Sequence, residues 1–455
     1  MSISIVRILL VSLLLFTGAA FSQTITLSPT IGPPTTTVEV SGSGFSPMAA
    51  ITISFGANSG LATADGSGAF SNVAIQAPAS ALPGPVTVSA TPTTGAGAQA
   101  TFTVYTDWRQ FGFAPNRPGF NPYENELSPT SVGKLTRLWF AFPYDANAFS
   151  AAAVVNGVIY AGTYSYLDSD VYAYDTSTGA QLWTFETGAR VYSSPAVANG
   201  VVYAGSDDDN VYALDATTGT KVWSYTTGGK VTSSPGVTNG KVFIGSWDGN
   251  LYAFNASTGE KLWNYTTGNS VASSPAVENG VVYVGSEDNN VYAIEAGTGA
   301  KLWNYTTGGG VQASPAVVNG VVYTGSGDGN VYALNAQSGA VLWSYAIGGG
   351  NTGSPAVANG VVYINSASGP LYALNASTGT VQWTFASNVG FTPPVVANGV
   401  VYTSSHSTAY ALDALTGVML WSFPTNFPLN SSPTVANGKL YVSLGGVLYA
   451  FGLPR

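Results

Sequence analysis

Few residues of this chain could carry out catalysis or hold a charged ligand. Its 455 residues include 13 Lys and Arg, 22 Asp and Glu, one His and no Cys, and charged residues make up 8%, against roughly 25% in ordinary soluble domains. The lack of Cys excludes disulfides, thiolate metal sites and cysteine nucleophiles. An acidic chain so poor in Lys and Arg also lacks the positive surface of a nucleic-acid-binding protein. The recurring Ser-Ser-Pro runs contain no G-x-S-x-G elbow, so serine hydrolase chemistry is not expected.

Short acidic clusters recur along the chain and are the weak candidates for metal binding. The first is Asp207-Asp208-Asp209-Asn210, with Asp207 and Asp209 as candidate ligands, and equivalents stand at 247–250, 287–290 and 327–330. Carboxylate oxygens suit Ca²⁺, but no copy has the full D-x-D-x-D-G-x₅-E loop. Asp, Asn and Gly are also the residues that tight turns require. The turn interpretation is therefore favoured, and no metal is predicted.

Two single residues stand out from these clusters. Trp247 takes the first position of its cluster, and exposed aromatic residues often mark interfaces. It could anchor a protein partner or a sugar ring, or it could lie flat on a neighbouring turn. His406 falls in the same class of segment without a nearby carboxylate, which favours a solvated loop residue.

A 40-residue repeat predicts the element that positions these residues. Tryptophan recurs at this interval from Trp183 to Trp383, and Asn-Gly dipeptides keep the same period. Within one unit, such as 193–225, four Val- and Tyr-rich runs are separated by Asn-Gly, acidic and Thr-Gly turns. Four short antiparallel strands in each unit are typical of a propeller blade. The runs are apolar on both sides, as expected where each blade packs between two neighbours.

Two counts agree on eight blades. There are eight Asn-Gly turns, and eight tryptophans fall in fourth strands, namely Trp139, Trp183, Trp223, Trp263, Trp303, Trp343, Trp383 and Trp421. The first of these precedes every Asn-Gly turn, whereas the last unit ends at Phe451 without a Trp strand. Pairing the two ends would close the ring and hide open strand edges. We therefore predict an all-β chain with an eight-bladed β-propeller over 136–455, closed by its N- and C-terminal strands.

The first 135 residues do not show the 40-residue repeat. Residues 1–22 have the form of a secretory signal peptide, with Arg7 before the apolar run 8–16, and this run is shorter than the ~20 apolar residues of a membrane span. Residues 106–135 are expected to be an ordered lead-in segment. Residues 23–105 predict a small antiparallel sandwich, with β-type runs at 24–28, 38–41, 51–55, 69–75, 86–91 and 100–105.

Several of these motifs are similar to those of known families. The run Tyr-Ala-Leu-Asp-Ala-Thr-Thr-Gly-Thr-Lys-Val-Trp at 212–223 resembles the repeat of pyrroloquinoline-quinone (PQQ) type propellers, in which each blade's Trp docks against the next blade. The lead-in from Asp107 to Trp139 resembles the opening of quinoprotein dehydrogenases, and Val-Glu-Val-Ser-Gly-Ser-Gly-Phe at 38–45 resembles immunoglobulin-like TIG domains of bacterial surface proteins. The repeat also occurs in non-catalytic proteins, including the propeller subunit of the outer-membrane β-barrel assembly machinery, so it implies a fold and not a cofactor.

A quinone-dependent enzyme of that family would need Ca²⁺ on oxygen ligands, a carboxylate base and cations for the quinone. Many members also stack the quinone on a Trp and a vicinal disulfide, which is impossible here. The segments expected to face the central channel offer Arg190, Lys230, Gln312 and Asn351, with Asp145 from the closing blade. No Glu–Asn–Asp calcium set is visible among them.

We therefore expect a secreted, periplasmic or cell-surface propeller that is not an enzyme and serves as a protein- or glycan-interaction scaffold, without metal or cofactor. Its candidate binding residues are Trp247, Arg190, Lys230, Gln312 and Asn351. The alternative is a PQQ- and calcium-dependent oxidoreductase acting on an alcohol or sugar. Neither a nucleic-acid partner nor a membrane span in the mature chain is expected, and the oligomeric state is open.

Overall fold

The computed structural model describes residues 22–142, 149–165, 169–350, 353–366, 369–386, 392–405, 407–424, 431–444 and 446–454. Residues 1–21 of the predicted signal peptide, Asp145, Asn351 and His406 lie outside these ranges. The described residues divide into two compact units, one within residues 22–81 and 85–104 and one within 82–84 and 105–454. In the described ranges, no helix has both the length and the apolar character needed to cross a membrane.

The first unit has one core shared by two sheets, ordered β1-β3-β6 and β2-β8-β7-β4-β5. Alternate residues of β1 and β4 are buried, because a strand with one face on the core has a period of two. Each predicted run overlaps a strand and extends at most one residue beyond it, while β2 and β5 were not predicted. The TIG-like assignment stays a prediction. The strands are β1 (Thr24–Ser28), β2 (Ile31–Gly32), β3 (Thr37–Ser43), β4 (Ala50–Phe55), β5 (Asn58–Thr63), β6 (Phe70–Gln76), β7 (Gly84–Pro92) and β8 (Ala98–Val104).

The second unit is a β-propeller, as predicted, and its described residues form eight sheets. Before the repeats come β9 (Phe120–Asn121) and a 3₁₀ helix (Val132–Lys134). The first sheets contain β10 (Thr136–Ala141), β11 (Ala153–Val155), β12 (Val158–Gly162), β13 (Asp170–Asp175), β14 (Gln181–Glu186), β15 (Ala196–Ala198), β16 (Val201–Gly205), β17 (Asn210–Asp215), β18 (Lys221–Thr226), β19 (Gly236–Thr238), β20 (Lys241–Gly245), β21 (Asn250–Asn255) and β22 (Lys261–Thr266).

The remaining sheets continue the same order of strands. They contain β23 (Ala276–Glu278), β24 (Val281–Gly285), β25 (Asn290–Glu295), β26 (Lys301–Thr306), β27 (Ala316–Val318), β28 (Val321–Gly325), β29 (Asn330–Asn335), β30 (Val341–Ala346), β31 (Ala356–Ala358), β32 (Val361–Asn365), β33 (Leu371–Asn375), β34 (Val381–Phe385), β35 (Val395–Ala397), β36 (Val400–Ser404), β37 (Thr408–Asp413), β38 (Met419–Pro424), β39 (Thr434–Ala436), β40 (Lys439–Leu444) and β41 (Val447–Gly452).

Six of the eight sheets consist of four sequential antiparallel strands, such as β15-β16-β17-β18. The sheet of β35 to β38 gains the short strand β9, which pairs in parallel with β35, and the last sheet takes its fourth strand from β10. An Asn-Gly turn joins the first two strands, and both of its residues have positive φ, 50° at Asn199 and 76° at Gly200, as this hairpin turn requires. The second and third strands are buried on both faces. The first strands of successive sheets are neighbours around the ring, and the last, β39, meets β11.

The fourth-strand tryptophans hold adjacent sheets together. Trp183 Nε1 donates to the Ala216 carbonyl of the next sheet at 3.0 Å. Gly219, which belongs to the same sheet as Ala216, lies against the Trp183 ring. Equivalent bonds are made by Trp139, Trp223, Trp263, Trp303, Trp343 and Trp383. Trp421 instead stacks on Phe423 and meets Phe451 edge to face.

The ring closes where the sequence predicts. The strand β10, which contains Trp139, pairs antiparallel with the C-terminal strand β41 and completes the sheet β10-β41-β40-β39. The fourth strand of the last sheet therefore comes from the start of the propeller sequence. This pairing satisfies the backbone groups of two strand edges that would otherwise be open.

Residues 106–121, which we call the strap, run past the first strands of the sheets. Backbone carbonyls of the strap accept N–H groups from the same repeat position in six of the first strands. These N–H groups belong to Val154, Val197, Val277, Val317, Val357 and Val396. Each of these residues lies close to an Asn-Gly turn, so the strap occupies the turn end of the central channel. The other end of the channel carries the loops between fourth and first strands.

Candidate functional site

Four of the five predicted binding residues line one cleft at the loop end of the propeller. The cleft has a volume of ≈ 690 Å³, and Arg190, Lys230, Trp247 and Gln312 are in its wall. Asn351, the fifth, lies outside the described residues. The lining is completed by Tyr192, Asp207, Thr232, Asn269, Ser270, Ala272 and Glu287.

A repeated backbone bond sets the positions of the cleft side chains. In successive sheets, the first residue of the turn between second and third strands donates its N–H to the carbonyl of the preceding loop. The bonds run from Asp207 to Arg190 at 2.8 Å, from Trp247 to Lys230 at 2.9 Å and from Glu287 to Ser270 at 3.0 Å. The symmetric fold thus places unlike side chains at equivalent points around the channel mouth.

Trp247 is half exposed, at 50%, and its orientation is fixed by neighbours. Its Nε1 donates to Thr232 Oγ1 at 2.9 Å, and Lys230 Nζ lies 5.6 Å from its ring centroid, within the range of a cation–π contact. Lys230 Nζ also lies 3.2 Å from Asp207 Oδ2. The indole is therefore held by neighbouring side chains while half of it stays accessible, and its role as a binding residue stays a prediction.

Asp207 has one unsatisfied oxygen. Its side chain is only 7% exposed, and its Oδ1 is buried with no hydrogen-bond partner among the described residues. Buried carboxylate oxygens normally accept hydrogen bonds, because an unpaired one retains its desolvation penalty. The wall of the cleft therefore contains an acceptor that lacks a donor.

Tyr192 of the cleft wall belongs to a stacked pair of tyrosines. Tyr192 stacks on Tyr164 with ring centroids 4.6 Å apart, and Arg190 Nη1 donates to Tyr192 Oη at 3.3 Å. Burial, followed by the neighbouring Tyr192, raises the pKa of Tyr164. The Tyr164 phenol therefore stays neutral at physiological pH, and the stacked pair offers a polar-edged apolar surface.

The acidic turns direct their central carboxylates into the fold. Asp248 Oδ2 accepts from the Gly228 N–H at 2.7 Å and from Tyr252 Oη at 2.6 Å. Burial alone would raise the pKa of Asp248, but these bonds and those from Asn250 bring it below 3.8. The same bonds recur at Asp208, Asp288 and Asp328. Each carboxylate ties a turn to the loop that precedes its sheet.

The carboxylates around the cleft do not fit a calcium–quinone pair. Ca²⁺ takes six to eight oxygen ligands, and no group of three or more His, Cys, Asp or Glu in the described part of the chain is placed to hold a metal ion. Of the two weak candidates, Asp207 pairs with Lys230. Asp209 has a φ of 70° at the turn, and its carbonyl accepts from Thr227. Trp247 and two cations are present, but the metal ligands that would accompany a quinone are not assembled by these residues.

The Ser-Ser-Pro runs form a belt of hydrogen bonds below the cleft. The N–H of Ser194 donates to the hydroxyl of Ser234 in the next sheet at 2.9 Å, and three further bonds of this kind reach Ser354. These serines are engaged in the fold rather than displayed as nucleophiles. The belt also explains why a Ser-Pro dipeptide recurs in every copy of the repeat that the bonds connect.

The strap is anchored at the other end of the channel by Arg117, which sequence reasoning missed. Its guanidinium is buried and donates to the carbonyls of Phe111, Ser234, Pro235 and Pro275 at 2.6–3.2 Å. Burial lowers the pKa of Arg117 to about 9.

Three solved structures show the same fold at low sequence identity. Quinohemoprotein alcohol dehydrogenase from Comamonas testosteroni aligns with a TM-score of 0.66 and 17% identity over 77% of this chain and 81% of its own. A europium-containing methanol dehydrogenase aligns with a TM-score of 0.67 and 14% identity, over 76% of this chain and 98% of its own. BamB from Moraxella catarrhalis aligns with a TM-score of 0.60 and 20% identity, over 70% of this chain and 98% of its own.

Sequence comparison identifies the repeats directly. No curated protein sequence matches the chain. A PQQ-repeat family, described as outer membrane protein assembly factor BamB, matches residues 136–234, 209–354, 306–393 and 385–452. These matches overlap and together span the propeller from its first strand to its last. The chain therefore belongs to this BamB-type PQQ-repeat family.

Proposed function

We propose that the chain is an exported, non-catalytic scaffold that binds a protein or glycan partner through the cleft around Trp247. The observation that carries the proposal is the anchored, half-exposed indole beside Asp207 and Lys230 in a concave wall. Pockets that combine an aromatic surface with a few convergent polar groups are the usual form of a binding site.

The proposal includes the organisation of the chain and its location. A signal peptide over 1–22 would export it, a TIG-like domain over 23–105 would act as a spacer, and a lead-in over 106–135 would precede an eight-bladed propeller over 136–455. Membership of a family described as an outer membrane assembly factor supports a place in the cell envelope, periplasmic or at the surface.

The second candidate is a PQQ- and calcium-dependent oxidoreductase for an alcohol or sugar. Likeness to two alcohol dehydrogenases supports it, as does the proximity of Trp247 to cationic side chains. It is the weaker candidate because Lys230 already has a carboxylate partner and the acidic turns use their central carboxylates in hydrogen bonds.

Two measurements on the purified full-length chain test the proposal. Titration with PQQ and Ca²⁺, followed by quinone absorbance and by dye reduction with alcohols and sugars, is expected to give neither saturable binding nor turnover. Fractionated cell-envelope proteins and glycans are expected to include a partner that binds the chain and is lost with Trp247→Ala. The control is Phe140→Ala, an equally exposed aromatic residue on β10. Turnover, or binding that is indifferent to Trp247, would overturn the proposal.

A further inference from the structure

The cleft wall has balanced charge, which bears on the kind of ligand it takes. Its cations are Arg190 and Lys230, and its carboxylates are Asp207 and Glu287. Lys230 and Asp207 neutralise each other at 3.2 Å. A charged ligand therefore gains little long-range attraction, because no single sign of charge dominates the wall. A neutral polar ligand, in contrast, meets hydrogen-bond donors and acceptors on several sides.

Trp247 supplies a rigid apolar surface in this polar surrounding. The bond from its Nε1 to Thr232 fixes the indole plane, so little conformational entropy is lost on binding. Half of the side chain remains exposed. The C–H face of a pyranose ring matches such a surface, and the ring's hydroxyl groups then point outward to the polar side chains around it.

Asp207 is an acceptor suited to such hydroxyl groups. Its Oδ2 pairs with Lys230, while its buried Oδ1 has no hydrogen-bond partner among the described residues. A carboxylate at neutral pH can only accept, so the missing group must be a donor. Lys230, whose side chain is 48% exposed, pairs with this carboxylate. A hydroxyl group that displaces the Lys230 ammonium group would gain access to the acceptor.

The shape of the cleft favours a glycan over a protein surface. Its volume of ≈ 690 Å³ falls within the roughly 300–1,000 Å³ of small-ligand sites. A stable protein partner would instead bury about 800 Å² of each surface, spread over some 20–30 residues. The features described above are concentrated in a recess between neighbouring loops.

The geometry points to a binding site for a neutral oligosaccharide, with one pyranose ring on Trp247 and its hydroxyl groups bonded to Asp207, Lys230 and Gln312. This inference rests on the proposed function and specifies the partner as a glycan without acidic groups. Tyr192, which is exposed in the wall of the cleft, offers a surface for a second ring.

A glycan array that contains neutral and acidic oligosaccharides, probed with the purified full-length chain, is the first test. Calorimetric titration of the neutral ligands found should give the same Kd at about 0.05 M and 0.5 M salt, because the ligand carries no charge for salt to screen. Trp247→Ala and Asp207→Asn should each weaken binding by about 10-fold or more. The matched controls, Phe140→Ala on an exposed aromatic residue and Lys301→Met on an exposed cation of β26, should leave it unchanged.

The outcomes separate this inference from the function on which it rests. Binding only to acidic glycans, or a Kd that rises steeply with salt, would overturn the neutral-sugar inference. Binding to a protein of the cell envelope that depends on Trp247, without glycan binding, would overturn it too but would support the proposed scaffold. Failure of every ligand class to depend on Trp247 would overturn both.

Discussion

Two glycines of one propeller sheet allow the contribution of tryptophan docking to be measured separately from backbone strain. Gly200 and Gly219 have nearly the same φ, 76° and 72°. A Cβ at Gly200 would meet nothing within 4 Å, whereas a Cβ at Gly219 would lie 2.7 Å from the Trp183 ring. Substitution by Ala therefore imposes a similar φ penalty at both positions and a clash at only one.

The expected energies follow from this difference. A left-handed conformation costs an Ala about 1–2 kcal/mol, partly offset by about 0.4–1 kcal/mol from the smaller entropy of the unfolded chain. Gly200→Ala should therefore lower the free energy of unfolding by about 1 kcal/mol. Gly219→Ala adds about 1–3 kcal/mol of overpacking, and about 1 kcal/mol more if Trp183 loses its bond to the Ala216 carbonyl. We expect the two variants to differ by about 1–4 kcal/mol.

Urea unfolding of the full chain, followed by tryptophan fluorescence and circular dichroism, measures both variants. The same substitutions in a Trp183→Ala background form a double-mutant cycle, in which the gap between Gly200→Ala and Gly219→Ala should close. Equal losses in the wild-type background would refute the argument, because they would show that the indole does not require a glycine beside it. A gap that persists without Trp183 would refute it as well.

Three further predictions concern polar groups inside the propeller. Arg117→Met should lower the urea midpoint far more than Lys301→Met, because it leaves the carbonyls of Ser234 and Pro275 without donors. Ser234→Ala should lower the thermal midpoint of unfolding, since it removes the acceptor of the Ser194 N–H in the belt. Burial alone would raise the pKa of Asp328, but hydrogen bonds from Tyr332, Asn330 and Gly308 bring this pKa below 3.8. The ionised Asp328 therefore stabilises the folded chain fully above about pH 4, and this stabilisation is lost as the pH falls through the lower pKa of the folded state. Asp328→Asn should therefore make the chain less stable at pH 7, with a shallower loss of stability below pH 4 in acid titrations followed by circular dichroism.

The blade pattern could be predicted because each of its parts leaves a mark in the sequence. Positive φ at two successive positions selects Asn-Gly, burial on both faces selects Val, Tyr and Ala, and Trp docking selects Gly in the following turn. The strand β5 was missed because Asn58–Thr63 has no fully buried residue, so its sequence carries no apolar alternation.

The course of the strap could not be predicted for a different reason. It contacts the first strands mainly through backbone carbonyls, which any residue supplies, so the sequence between Asp107 and Asn121 shows no periodicity. Arg117 looks like an ordinary surface cation in the sequence, and only the fold brings the carbonyls of Ser234 and Pro275 around it. Contacts of this kind depend on tertiary placement and not on local pattern.

The cleft could be predicted in part, because some of its residues stand at positions of the repeat that differ from one unit to the next. The positions that hold the propeller together carry the same residues from sheet to sheet, because every sheet meets the same neighbours. Three positions around the channel mouth do not, although equivalent backbone bonds hold successive turns and loops in place there. In four successive units, the first position holds Arg190, Lys230, Ser270 and Gly310. The second position holds Tyr192, Thr232, Ala272 and Gln312, and the third holds Asp207, Trp247, Glu287 and Gly327. A symmetric ring needs no such variation for stability, whereas recognition of an asymmetric ligand does. Comparing the repeats position by position would thus have added Tyr192, Thr232 and Glu287 to the predicted site, and the same comparison explains why Arg190, Lys230 and Gln312 could be identified.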